Sequence, residues 1–172
     1  MENIIRIAAA TAITTAGLGL AGLSAADKRG EVVRLGNITV INDCYNCNPK
    51  ALDAMVDALA AMAAGRRIVV AGAMLELGPT EEELHRRAGA HMAEKKIDVL
   101  LGVRGPAEGM VEAARRAGMR AEFVSTPEEA GEWLAREARD GDVVLMKASR
   151  GVKLEKALEV WKTRRAGAVS GN

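Results

Sequence analysis

Aromatic side chains are nearly missing: one Phe, one Tyr and two Trp make up 2% of the 172 residues. The core must be built from Ala, Val, Leu, Ile and Met, and the stacking platforms of a single-stranded nucleic-acid binder are lacking. An excess of one charge is lacking too. With 24 basic and 23 acidic residues the net charge is +1, which points to neither nucleic acid nor a membrane surface as partner. The only cysteines are Cys44 and Cys47. Their C-x-x-C spacing suits a redox pair or half a zinc site. No second pair exists, and His85 and His91 stand six apart, which does not put two ligands on one helical face. No metal site is expected. There is no G-x-x-x-x-G-K-[ST], and Gly102-Val103-Arg104-Gly105-Pro106 is not a dinucleotide fingerprint in register with a first strand. No internal repeat is visible.

What is present is ordinary for a globular protein: 49% hydrophobic and 27% charged residues, in a length that allows one domain and an extra element. Glu31 to Leu35 and Ile38 to Asn42 flank Gly36-Asn37 and read as a β-hairpin. A helix follows from Pro49 to about Ala64, with Leu52, Met55, Val56, Leu59 and Met62 on one face. Arg67 to Gly72 is a short apolar run of the kind that forms a buried parallel strand. Thr80 with Glu83 makes a capping box for a helix to about Lys95, and Thr126 with Glu129 makes another for a helix to about Arg139. Strands are expected at Asp98 to Val103, Ala121 to Val124 and Val143 to Lys147, and further helices at Pro106 to Ala117 and Val152 to Trp161. This alternation predicts an α/β fold, Rossmann-like and doubly wound. Its sheet should be mostly parallel, with the first hairpin strand antiparallel at an edge and a short N-terminal helix ahead of it.

The chemistry concentrates where the strand from Ile38 ends. The stretch N-I-T-V-I-N-D-C-Y-N-C-N-P, residues 37–49, turns abruptly from β-branched to hydrogen-bonding side chains. Pro49 can open a helix at its first turn. Asn42, Asp43, Tyr45, Asn46 and Asn48 thus arrive at the carboxyl edge of a sheet beside a helix N-terminus, where α/β proteins bind ligands and anions. A turn built of Asn and Asp explains the same residues, and the stretch alone leaves both readings open. A second cluster ends the last strand. Lys147, Ser149 and Arg150 precede a helix there and suit a carboxylate or phosphate.

Three blocks of wording resemble the C-terminal domain of the Mur ligases. I-N-D-C-Y-N-x-N-P is similar to the start of that domain. A-M-L-E-L-G resembles the family's G-D-M-x-E-L-G followed by H-x-x-x-G, matching at Gly72, Met74, Glu76, Leu77, Gly78, His85 and Gly89, with Ala73 where the family has Asp. D-V-V-L-M-K-A-S-R-G-V-K-L-E resembles D-V-V-L-x-K-G-S-R-x-x-x-L-E, with Ala148 in place of Gly. Glu76 could equally be a solvated loop carboxylate, and His85 a helix residue bonded to the adjoining loop. Ahead of these blocks, Arg29-Gly30-Glu31 stands where the family has R-G-R-x-E, so a nucleotide-contacting Arg is not matched. Asn3 with Ala8, Ala9, Ala10 and Ala12 resembles the helix that closes the family's central domain. Residues Ile4 to Ala26 could also pass for a signal peptide, although Glu2, three Thr and three Gly weaken it. The resemblance divides the chain into residues 1–28, a helix remnant with linker; 29–164, the C-terminal domain; and 165–172, a disordered tail.

The resemblance implies part of an ATP-dependent, cytoplasmic amide ligase of peptidoglycan precursors. Within the family the wording is most similar to members that add D-alanyl-D-alanine to UDP-N-acetylmuramoyl-tripeptide (UDP-MurNAc-tripeptide). ATP would phosphorylate the peptide carboxylate, and the dipeptide amine would attack it. It further implies Asp43, Tyr45, Asn46 and Asn48 as nucleotide-binding residues, and Lys147, Ser149, Arg150 and Glu76 as substrate-binding ones. In the family the phosphate loop and the Mg²⁺ ligands lie in the central domain. No catalytic residue and no tightly bound ATP or Mg²⁺ is therefore expected of these residues alone, nor turnover by the chain alone. The alternative is a non-catalytic binding module or degenerate copy, able to pair with a separate central ATP-binding domain. A small C-x-x-C redox protein is a third reading.

Overall fold

The computed structural model describes residues 30–169. The expected N-terminal helix, its linker up to Arg29 and the signal-peptide alternative lie outside the described residues.

Strands β1 (Glu31–Leu35) and β2 (Ile38–Asp43) form the expected antiparallel hairpin, with Glu31 opposite Asn42 and Leu35 opposite Ile38. Gly36 turns the chain with a φ of 62°, a left-handed conformation that suits glycine. Strands β3 (Arg67–Gly72), β4 (Val99–Val103), β5 (Arg120–Val124) and β6 (Val143–Lys147) complete one six-stranded sheet in the order β1-β2-β6-β3-β4-β5. All pairings after the hairpin are parallel.

The parallel strands are apolar along their length because both faces of the sheet are covered. Alternation sends Ile68 and Val70 to one face, and Val69 and Ala71 to the other. Against the second face lie α1 (Pro49–Ala60), α2 (Glu81–Glu94) and α3 (Ala107–Arg116), through Leu52, Val56, Met92 and Met110. Against the first lie α4 (Pro127–Glu137) and α5 (Glu155–Val169), through Trp133, Leu134 and Trp161. Strand β6 sits between β2 and β3, yet the helix after it packs on the opposite face from those after β2 and β3. That divergence opens a crevice at the carboxyl edge, the usual ligand position in such sheets. Among the described residues no helix is long and apolar enough to cross a membrane.

Three expectations are corrected. Helix α5 begins at Glu155, after a 3₁₀ turn at Arg150–Val152, and runs to Val169. Residues 165–169 are therefore helical, not part of a disordered tail. Just ahead of that stretch, Arg164 pairs with Glu132 on α4 at 2.6 Å, and Thr163 bonds back to the Glu159 carbonyl within the helix. Helix α1 stops at Ala60 rather than near Ala64. The capping box forms at Thr126–Glu129 but not at Thr80–Glu83. A 3₁₀ turn at Gly78–Thr80 leaves Thr80 at φ −93°, ψ 5°, and its hydroxyl donates back to the Leu77 carbonyl. An N-cap that accepts from the third helical residue needs extended backbone, as Thr126 has at φ −134°, ψ 152°.

Candidate functional site

The loops after β2, β3 and β6 meet at the carboxyl edge. Asp43 and Lys147 are direct neighbours in the β2–β6 register. Lys147 is only 2% exposed, and its ammonium donates to the Asp43 carboxylate at 2.5 Å and to the Asn46 carbonyl at 3.0 Å. A buried cation needs such pairing, because an ammonium taken out of water without a partner costs several kcal/mol.

Ser149 ties the same loops from the other side. Its hydroxyl donates to the Cys47 carbonyl at 3.3 Å and accepts the Leu75 N–H at 2.9 Å, while its backbone N–H donates to the Ala73 carbonyl. The loop after β3 is braced further by His85, buried on α2. His85 Nε2 accepts the Met74 N–H at 2.9 Å, and Nδ1 lies 2.7 Å from the Glu81 carbonyl. Both bonds are satisfied at once only by the neutral ring with its proton on Nδ1. Burial lowers its pKa from the ordinary value, in keeping with that form. His85 is thus the loop-bonded helix residue that the sequence allowed.

The implied site residues divide by geometry. Asp43, Asn46, Lys147 and Ser149 interlock, so the two sets that the resemblance kept apart are one connected edge. Tyr45 and Arg150 come together across it, with the guanidinium carbon 5.3 Å from the ring centroid. Asn48 caps α1 by accepting the Ala51 N–H at 2.9 Å. Glu76 is exposed at the rim, with a left-handed φ of 67°. The groups that sequence reasoning missed are the carbonyls of Asn46, Cys47 and Ala73 and the N–H groups of Met74 and Leu75. Main-chain groups carry no residue-type signal.

Two departures from the family wording take on a physical meaning. Ala73, where the family has Asp, is buried in the core cluster on the α4–α5 face. Ala148, where the family has Gly, has no positive φ and adds no strain. Its methyl fills space against Gly72, where a Cβ would fall 2.6 Å away.

The redox reading is overturned. Cys44 and Cys47 are not joined in a disulfide and are buried in clusters on opposite faces of the sheet. Burial pushes Cys47 up to about 12, whereas a reactive thiol needs a lowered value. Among the described residues no cluster of three or more His, Cys, Asp or Glu could hold a metal ion. A hollow of about 360 Å³ between α2 and α3, lined by Glu81, Glu82, Arg86, Glu108 and Glu112, contains none of the site residues.

A mostly parallel α/β domain with polar side chains gathered at the carboxyl ends of β2, β3 and β6 has the architecture of the doubly wound α/β folds. Residues 28–150 match the family described as Mur ligase, glutamate ligase domain, and the chain belongs to that family. It is 32% identical over 147 residues to UDP-N-acetylmuramoyl-tripeptide--D-alanyl-D-alanine ligase of Bacillus subtilis (strain 168), covering 82% of this chain and 32% of that protein. The enzyme of the same name from Mycobacterium leprae (strain TN) is 33% identical over 141 residues, covering 70% of this chain and 27% of that protein. The crystal structure of MurF ligase from Thermotoga maritima in complex with ADP shares the fold with a TM-score of 0.71 and 27% identity, over 85% of this chain and 33% of that one. The chain spans about a third of the length of the curated relatives it matches.

Proposed function

We propose that this domain serves an ATP-dependent amide ligase of peptidoglycan precursors, closing over the nucleotide and presenting the incoming amine substrate, D-alanyl-D-alanine. The reading draws on the names of the relatives, one of whose structures holds ADP. The observation that carries it is the convergence of three loops on one edge, with the Tyr45 ring and the Arg150 guanidinium paired across it. Tyr45 and Asn46, with Asp43 and Asn48 behind them, face the nucleotide. Arg150 and Glu76, on the frame supplied by Lys147 and Ser149, face the dipeptide, whose carboxylate suits a guanidinium.

In the complete reaction the γ-phosphoryl group of ATP passes to the terminal carboxylate of UDP-MurNAc-tripeptide. The dipeptide amine then attacks that acyl phosphate and phosphate leaves. The 172 residues contain no phosphate-loop motif, and no described residue is assigned to Mg²⁺. The part of this domain is to bind, orient and exclude water on closure. The family points to a cytoplasmic setting. Burial of Ala73 in the core, at a position where the family keeps a carboxylate, is what favours the second reading, a non-catalytic binding module.

Calorimetric titration of the purified chain with D-alanyl-D-alanine, with and without Mg-ATP, tests the proposal. Saturable dipeptide binding that Arg150→Ala abolishes is expected, with no turnover by the chain alone. Absence of binding under both conditions would overturn it.

A further inference from the structure

Lys147 and Ser149 carry the residue types of ligand contacts, but their bonding capacity is turned inward. The Lys147 ammonium is buried, and two of its three N–H groups go to Asp43 and to the Asn46 carbonyl. The Ser149 hydroxyl has one proton, given to the Cys47 carbonyl, and accepts the Leu75 N–H; the residue is 7% exposed. Each bond crosses between neighbouring segments of the edge. Lys147, the last residue of β6, joins that strand end to Asp43, the last residue of β2, and to the loop that follows β2. Ser149 joins the loop after β6 to the loops after both β2 and β3.

We propose that Lys147 and Ser149 are positioning residues: they lock the loops after β2, β3 and β6 into one rigid edge and leave ligand contact to Tyr45, Asn46 and Arg150. The physical case rests on exclusivity. A buried ammonium that turned to a ligand carboxylate would leave Asp43, itself largely covered with a side chain 16% exposed, without its counter-charge. A hydroxyl that gave its proton to a ligand would strand the Cys47 carbonyl in the interior. Among the described residues Arg150 has no such commitment beyond the face of Tyr45, and it is exposed. Specificity then resides in exposed Asn46 and Arg150 with half-buried Tyr45, and the inner pair sets how accurately those three are held. This assignment rests on the reading of the edge as a ligand site, and its test can fail separately from that reading.

The experiment measures amide hydrogen exchange over residues 44–48 and 73–77 of the full chain, alongside D-alanyl-D-alanine affinity. Lys147→Met should speed exchange in the first segment about tenfold or more, as a loop that has lost its anchor opens locally. Adding Asp43→Asn should restore most of that protection, and the dipeptide affinity with it, because the stranded charge is removed. A lysine that touched the dipeptide directly could not be rescued from position 43. Ser149→Ala should expose the Leu75 amide, and Ser149→Thr should keep it protected. Unchanged loop exchange in Lys147→Met together with lost dipeptide binding would overturn the proposal. If Lys147→Met fails to fold, Ser149→Ala decides: an unaltered Leu75 amide overturns it. A parent chain that binds no dipeptide refutes the proposed function, while the exchange arm still judges the positioning role.

Discussion

The imidazole of His85 is the main-chain partner of Met74: Nε2 accepts the Met74 N–H at 2.9 Å while Nδ1–H is given to the Glu81 carbonyl at 2.7 Å. One ring thereby joins the first turn of α2 to the loop that follows β3. Protonation of Nε2 would replace an acceptor with a donor facing an N–H.

A pH dependence follows. Burial holds the folded His85 below its ordinary value near 6.5. The unfolded chain therefore takes up this proton first as the pH falls. Stability from this group is full above about 6.5, where both states are neutral, and is lost as the pH drops through the folded value. Urea unfolding at pH 7.5 and pH 5 should show a loss on acidification that is smaller in His85→Gln. An equal loss in the two proteins would remove His85 as the cause.

Gly89 on α2 tests the packing of α2 against α3. A Cβ there would lie 2.0 Å from the Met110 carbonyl oxygen, and backbone cannot yield as a side chain can. Helix propensity alone predicts that Gly89→Ala stabilises by about 1 kcal/mol. The crossing predicts the opposite sign, a loss of about 3 kcal/mol. The shift of a denaturation midpoint decides between them.

Asp142 anchors the start of β6. Its carboxylate, 2% exposed, accepts two bonds from Arg66, at 3.0 and 2.7 Å, and one from the Arg139 N–H at 2.8 Å. Asp142→Ala leaves the half-buried Arg66 guanidinium only the Glu137 carbonyl and strands the Arg139 N–H, with an expected cost of about 3 kcal/mol. The same chemical denaturation measures it. A loss below about 1 kcal/mol would place this pair with ordinary surface salt bridges.

Cys47 should be inert in the folded protein. With its thiol pushed up to about 12 and its side chain buried, a disulfide reagent at pH 8 should label Cys47 only after denaturant is added. Rapid labelling of the native chain, or an intramolecular Cys44–Cys47 disulfide, would reopen the redox reading.

How much of this was legible in the sequence can be judged position by position. The run Arg67 to Gly72 is apolar at every place except its first, and it forms β3 with those bounds. Gly36-Asn37 between two β-rich segments was enough to place the hairpin, and Thr126 with Glu129 to start α4. These signals are local: period, turn chemistry and capping act over a few residues and survive any surroundings that do not oppose them. The edge blocks at 41–49 and 142–155 were legible for the same reason, since strand ends deliver their loops to the carboxyl edge.

Tertiary structure decided which of these local offers were taken up. Thr80 and Glu83 have the letters of a capping box, but a 3₁₀ turn fixed by the preceding loop denies Thr80 the extended backbone it needs. Ala73 and Leu75 are both apolar residues of the loop after β3, and only packing shows that Ala73 belongs to the core while Leu75 is exposed. Lys147 and Asp43 lie 104 residues apart, yet the parallel β2–β6 register makes them neighbours and pairs them as a buried ion pair. The sequence by itself determined the elements and the residue types gathered at the edge. Which of those side chains face a ligand and which face one another depends on contacts between distant strands, because burial and pairing are properties of the assembled sheet.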